Sequence, residues 1–388
     1  LVIGLATGVT VLIGRQFGAR QEEMLAHTIK SAAKMFAVIA VILTAVYMVA
    51  LKPIIKMKQT PDEAVEEAES YLFICAVGII FIVGYNLLSS IWMGLGNTRT
   101  PLIFIAIACF VNIVLDVVLV KGFDMGAVGA AIATTLAQAV SFISAIIHMS
   151  RGDMGFKNKK KGDKGKNNLI PQIVKIGSPV AIQNVLVGVS FLFITAIINK
   201  MSLEASAAAG VVEKLFGFFI MPAVSFSSAF STISAQNIGA GNDKRALKSM
   251  YTGIIMSLIP SIVITLFCVF KGELFTQIFS KDQKVIELAS LYLKSYILDC
   301  IVVCFVFCMN GYFNGCGYSW FSMVHSLIAT FAFRIPLSSI FSKLENTSLY
   351  IVGWAAPLST VVSLILCCVF MIYITRKSKR KEKLDTTT

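Results

Sequence analysis

The stretch "PLIFIAIACFVNIVLDVVLV", residues 101–120, is apolar throughout except for Asn112 and Asp116 near its end. As a helix it would span about 30 Å at 1.5 Å per residue, the hydrocarbon thickness of a bilayer. Asn112 and Asp116 are four residues apart and would share one face of that helix. A carboxylate at the centre of a membrane span costs roughly 3 kcal/mol or more, so one placed there needs a reason. The bland reason is a solvated position near the end of the span, since Lys121 follows closely. The sharper one is that the carboxylate binds something.

Comparable runs recur outward from this stretch in both directions. Of 388 residues, 56% are hydrophobic and only 14% charged, with mean hydropathy +0.80, too little charge to cover the surface of a soluble protein. The runs are long and continuous rather than alternating, which excludes a transmembrane barrel. The pattern predicts an all-α polytopic membrane protein with apolar segments near 1–14, 28–51, 71–94, 101–120, 126–149, 172–198, 206–234, 249–270, 291–314, 320–341 and 349–375.

The net charge of +13 would suggest nucleic acid in a soluble chain, but here the basic residues gather in particular loops. They surround Arg15 and Arg20, Arg99, Arg151 to Lys175, Lys244 to Lys248, and Arg376 to Lys383, whereas "QTPDEAVEEAES" (59–70) is acidic. By the positive-inside rule the basic set and the C-terminus are expected to be cytoplasmic, in a plasma (inner) membrane, with no nucleic-acid partner. The Lys-rich stretch 151–170 reads as a linker between a lobe at 1–150 and a lobe at 171–375, with a basic tail at 376–388. Such a run could also meet anionic lipid head groups. Cys300, Cys304 and Cys308 recur every four residues without histidine at ligand spacing, and read as small hydrophobes. No nucleotide-binding or hydrolytic motif is present, and neither enzymatic activity nor a cofactor is expected.

The two lobes resemble each other. At a shift of about 221 residues "IGRQFGAR" (13–20) meets "SAQNIGAG" (234–241), and "SSIWMGLGNTRT" (89–100) meets "MNGYFNGCGYSW" (309–320). After a small insertion "AVGAAIATT" meets "IVGWAAPLST", pairing Gly129 with Gly353. Six spans in the second lobe predict a parallel repeat about an axis along the membrane normal. The same shift sets Leu1 opposite Met221 or Pro222. The expectation is therefore a first lobe lacking its first helix and part of the second.

With "GRQFGAR", "YNLLSSIWMGLGNTRTPL", "NIVLDVVLV", "GAVGAAIATTLAQ", "GSPVAIQN" and "SAQNIGAGNDKRA" in this order, the chain resembles the multidrug and toxic compound extrusion (MATE) transporters. The resemblance implies two six-helix lobes and export of organic, cationic compounds by alternating access, coupled to re-entry of H⁺ or Na⁺. In the DinF-like branch an aspartate on the first helix, Asn and Asp one turn apart on the fifth, and Thr on the sixth handle the cation. Asn112, Asp116 and Thr134 match the last three, and the first-helix position falls before Leu1. A carboxylate, an amide and a hydroxyl would offer Na⁺ hard oxygen ligands, or the carboxylate alone would carry a proton.

Another branch has acids on its seventh and tenth helices. Here the seventh span has none, and Asp299 lies too near the start of the tenth for that role to transfer. Because Asn112 and Asp116 pair with Phe333 and Leu337, the polar site is expected to be one-sided. Tyr85 and Asn86 in mid-span are candidate cavity residues, with a helix–helix hydrogen bond as the alternative for Asn86. Glu213, beside Lys214, is expected near an interface, with a portal lining as the alternative, and Arg334 is expected to snorkel to the outer surface. A monomer among membrane lipids, handling a small organic cation, is the implied working unit. A flippase of lipid-linked precursors would need several basic residues in its cavity, and an integral-membrane enzyme clustered His, Asp or Glu. Neither pattern is evident.

Overall fold

The computed structural model describes residues 1–57, 61–151, 169–345 and 347–385, and every long element in them is a helix, as lipid requires of backbone that must satisfy its own hydrogen bonds. The first unit, Val2–Gly177, contains α1 (Val2–Gly18), α2 (Glu22–Met57), α3 (Val65–Gly94), α4 (Arg99–Asp116), α5 (Gly126–Arg151) and the start of α6 (Ile170–Ile198). The second, from Ser178 onward, contains the rest of α6, then α7 (Leu203–Phe219), α8 (Met221–Gly239), α9 (Asp243–Phe279), α10 (Gln283–Tyr296) and α11 (Asp299–Gly315). It closes with α12 (Ser319–Leu327), α13 (Ile335–Phe341), α14 (Leu349–Gly353) and α15 (Ala355–Asp385).

Each expected apolar segment is helical, but several are broken. The span expected at 206–234 is divided at Ile220 ahead of Pro222, and that at 291–314 bends by 44° between Tyr296 and Asp299. Among the described residues, nine helices are long and apolar enough to cross a membrane, or ten if the bent pair is one span. The expected linker lies outside the described residues apart from its ends. The division between units falls at Gly177, inside α6, because Leu169 and Ile173 pack into the first unit's core with Leu5, Val9 and Phe36.

The repeat reappears as geometry. In the first unit a Cβ on Gly94 of α3 would lie 2.7 Å from Ile13 Cγ2 and 2.9 Å from the Thr10 carbonyl of α1. In the second, a Cβ on Gly315 of α11 would lie 2.6 Å from the Ser231 carbonyl and 2.6 Å from Ser234 Cβ of α8. Thr10 and Ile13 are the partners of Ser231 and Ser234 at the same shift, so both units cross the same two helices at the same glycine. Lipid gives helices no hydrophobic drive to associate, so close backbone approach at small residues supplies the contact. The turns repeat as well. Gly96 and Gly317 take φ of 86° and 80°, and Asn97 and Tyr318 donate to the Trp92 and Phe313 carbonyls at 2.9 and 2.8 Å. A left-handed residue closing a helix in this way is a standard C-terminal cap.

The cysteines pack as small hydrophobes. Cys300, Cys304 and Cys308 are buried on α11, with Cys304 Sγ 2.8 Å from Ser261 Oγ and Cys308 Sγ 3.5 Å from Ser257 Oγ of α9. Buried His325 of α12 lies 2.7 Å from Asn310 Oδ1 through Nε2 and 2.7 Å from Ser363 Oγ through Nδ1, tying α12 to α11 and α15. Because the amide oxygen can only accept, Nε2 carries the proton.

Candidate functional site

Asn112 and Asp116 occupy the last turn and a half of α4, both half-buried. The Asn112 amide donates to Thr134 Oγ1 of α5 at 3.4 Å, so the structure joins these two helices through two of the three expected residues. Asp116 ends the α-helical part of the span, and Val117–Gly122 continues as a π-helix. Such widened turns occur mostly as single insertions and often at functional sites. One carboxylate oxygen of Asp116, Oδ1, is buried and finds no hydrogen-bond partner among the described residues. A buried polar atom normally has a partner, so this oxygen retains an unused capacity to accept one.

Tyr85 and Asn86 are placed elsewhere. The Tyr85 hydroxyl donates to the Pro101 carbonyl at 2.6 Å, and its ring packs with Leu88, Trp92 and Phe104. A phenol in an apolar setting needs an acceptor, and the start of α4 supplies one. Asn86 donates to the Ile82 carbonyl on its own helix at 2.8 Å. Neither side chain joins the Asn112–Thr134 pair. The first unit also holds a cavity of about 590 Å³ between the end of α2 and the starts of α3 and α5, with Lys52 and Glu69 among apolar neighbours.

The second unit also holds polar side chains inside its helices. Arg334 does not snorkel outward: it closes a second π-helical segment, Ile328–Arg334, and its guanidinium donates to the Tyr296 hydroxyl. The same group lies over two rings, 4.8 Å from the centroid of Phe191 and 5.6 Å from that of Tyr296. Glu213 is tied to a neighbouring helix. It is half-buried some ten residues into α7, and Thr195 Oγ1 donates to its Oε1 at 3.2 Å. Arg334 is within electrostatic reach of both Glu213 and Asp299. Asp299 is only 3% exposed, opens α11 just past the bend, and also has a buried oxygen without a hydrogen-bond partner among the described residues. The available signal was a charged residue within each of three neighbouring apolar spans, with Tyr296 three residues before Asp299. Residue-by-residue pairing at the repeat shift hid it, because the charge sits one position past Phe333.

Among the described residues no group of three or more His, Cys, Asp or Glu is gathered as for a transition metal. The arrangement therefore offers isolated carboxylates, amides and hydroxyls inside helical units.

The sequence pattern of the MatE family matches residues 1–118 and 179–340. The chain belongs to the MatE family. Members are transporters, not enzymes, and this MatE protein is a multi-pass membrane protein. It is 25% identical over 343 residues to "Probable multidrug resistance protein YpnP" of Bacillus subtilis, covering 88% of this chain and 76% of that one. It is 22% identical over 382 residues to "FAD transporter" of Shewanella oneidensis, covering 95% and 82%. The fold matches a multidrug resistance MATE family transporter solved in an outward-facing conformation, with TM-score 0.92 at 18% identity, over 98% of this chain and 85% of that one.

Proposed function

We propose that this MatE protein exports small organic cations across the plasma membrane in exchange for H⁺ or Na⁺, and that Asp116 carries the coupling ion. The observation behind the reading is the buried, unpartnered Oδ1 of Asp116 at the junction of the α4 helix and its π segment, beside the Asn112–Thr134 pair. A proton needs only the carboxylate. Sodium would draw on Asn112 and Thr134 as well, and water would complete its shell. Relatives bearing multidrug names support the substrate class. The basic loops and tail support a cytoplasmic C-terminus by the positive-inside rule.

The test is transport in reconstituted vesicles with an imposed pH or sodium gradient. Asp116→Asn keeps shape and removes charge, so gradient-driven accumulation of a cationic dye should fall to the leak level while folding is retained. Normal accumulation by this variant would refute the coupling role. Abolishing the two gradients one at a time identifies the ion.

A further inference from the structure

We propose that the second unit contains a seat for an organic cation, formed by Glu213, Asp299, Phe191 and Tyr296, which the Arg334 guanidinium fills as an internal occupant. The proposal rests on the reading of the protein as an exporter of organic cations and names where such a cation would compete.

Charge sets the sign of the ligand. Two acidic side chains, Glu213 and Asp299, lie within electrostatic reach of one guanidinium, so the surroundings of Arg334 favour a cation over an anion. An anion brought to Arg334 would meet Glu213 and Asp299 at the same time, and like charges brought together cost several kcal/mol. A cation replacing the guanidinium meets no such opposition.

The aromatic neighbours set the chemical class. The guanidinium lies 4.8 Å from the Phe191 centroid and 5.6 Å from that of Tyr296, inside the range of a cation–π contact. Planar, delocalised cations are weakly hydrated and stack on such faces, whereas a compact ammonium or metal ion keeps its water. The favoured ligand is therefore a flat monocation bearing N–H donors, such as an aryl guanidinium or amidinium. The buried, unpartnered Oδ1 of Asp299 is the acceptor waiting for one of those donors.

The seat is built to exchange its occupant. Asp299 and Tyr296 are buried, but Phe191, Glu213 and Arg334 are only half-buried, leaving one side accessible. Two of its parts lie at irregular points of the helices, Arg334 at the end of a π-helical segment and Asp299 at the bend between α10 and α11. Broken helices near mid-membrane are where transporters commonly place ligands.

The experiment uses the full chain in lipid nanodiscs, with phenylguanidinium as probe and calorimetry as readout. Arg334→Ala vacates the seat, so it should bind phenylguanidinium at least about tenfold more tightly than the unaltered protein, a gain of about 1.4 kcal/mol. Asp299→Asn added to that variant should remove the gain. Removing Arg334 also leaves two carboxylates uncompensated, so its thermal stability should fall. Millimolar methylguanidinium should then restore it and equimolar NaCl should not. Equal response to the two salts, no gain in affinity, or a gain that survives Asp299→Asn each overturns the proposal. So does binding of FAD that requires Arg334, which would mark an anion site. Tight binding without vesicle export would keep the seat and reject the exporter reading. Export without the gain in binding would reject the seat alone.

Discussion

Replacing Gly315 by alanine should destabilise the second unit more than replacing Gly94 destabilises the first, although both are the same glycine of the repeat. The added methyl at Gly315 meets a backbone carbonyl, Ser231 O, and Ser234 Cβ at 2.6 Å, neither of which can rotate away. At Gly94 the nearest atom is Ile13 Cγ2 at 2.7 Å, and the atoms that cannot rotate away, Ile13 Cβ and the Thr10 carbonyl, stand further off at 2.9 Å. Restoring an ordinary 3.4 Å contact moves α8 and α11 apart by about 0.8 Å, enough to forfeit a quarter to a half of the dispersion energy at the crossing. Overpacking of this kind costs about 1–3 kcal/mol, against a gain of up to about 1 kcal/mol for alanine over glycine in a helix. The net expectation is a loss of about 2 kcal/mol at Gly315 and at most about 1 kcal/mol at Gly94. Thermal unfolding of the two variants in the same detergent measures the difference, at about 2–4 °C per kcal/mol or somewhat less in a chain this long. Adding Ser234→Gly to Gly315→Ala removes one of the two opposing atoms and should recover part of the loss. Equal melting temperatures for the two alanine variants, or Gly315→Ala as stable as the unaltered chain, would refute the argument that backbone approach fixes this crossing.

Three further outcomes are expected. Arg20 has φ of 57° at the position where the repeat places Gly241 (φ 73°), so Arg20→Gly should stabilise the first unit by about 1 kcal/mol in the same unfolding assay. His325→Leu strands Asn310 Oδ1 and Ser363 Oγ in the core and should cost about 1–3 kcal/mol for each, partly restored by adding Asn310→Leu. For sidedness, an impermeant thiol reagent applied to intact cells should label Lys281→Cys and spare Asp243→Cys, each on a cysteine-free background. The reverse pattern would overturn the cytoplasmic placement of the C-terminus.

Why some features were legible before the structure and others not follows from the length scale of each signal. Spans are set by runs of twenty apolar residues, and their number and order were readable because lipid permits little besides helices. Glycine pairs were readable because a crossing at 2.6–2.7 Å or a φ near +80° excludes other side chains, so both halves keep the same residue type in register. Helix breaks were not. The bend after Tyr296 has no proline, and the π segments at Val117–Gly122 and Ile328–Arg334 are as apolar as the helix around them. Those breaks decide where charges end up. A π segment inserts an extra residue into a turn, and Arg334, assigned outward from its place near the end of a span, instead ends such a segment with its guanidinium on Phe191 and Tyr296. Asn112 and Asp116 were found because they lie in regular helix, where a spacing of four means one face. The same logic extends to the first unit. Asp116 is the last residue before its own π segment, so deleting one residue of that segment, such as Val118, should return it to α-helix and turn Lys121 by about 100° about the axis while leaving Asp116 in place. If the segment serves only to route the chain, transport should survive that deletion. If the widened turn holds Asp116 Oδ1 away from backbone donors, transport should be lost even though every polar residue remains.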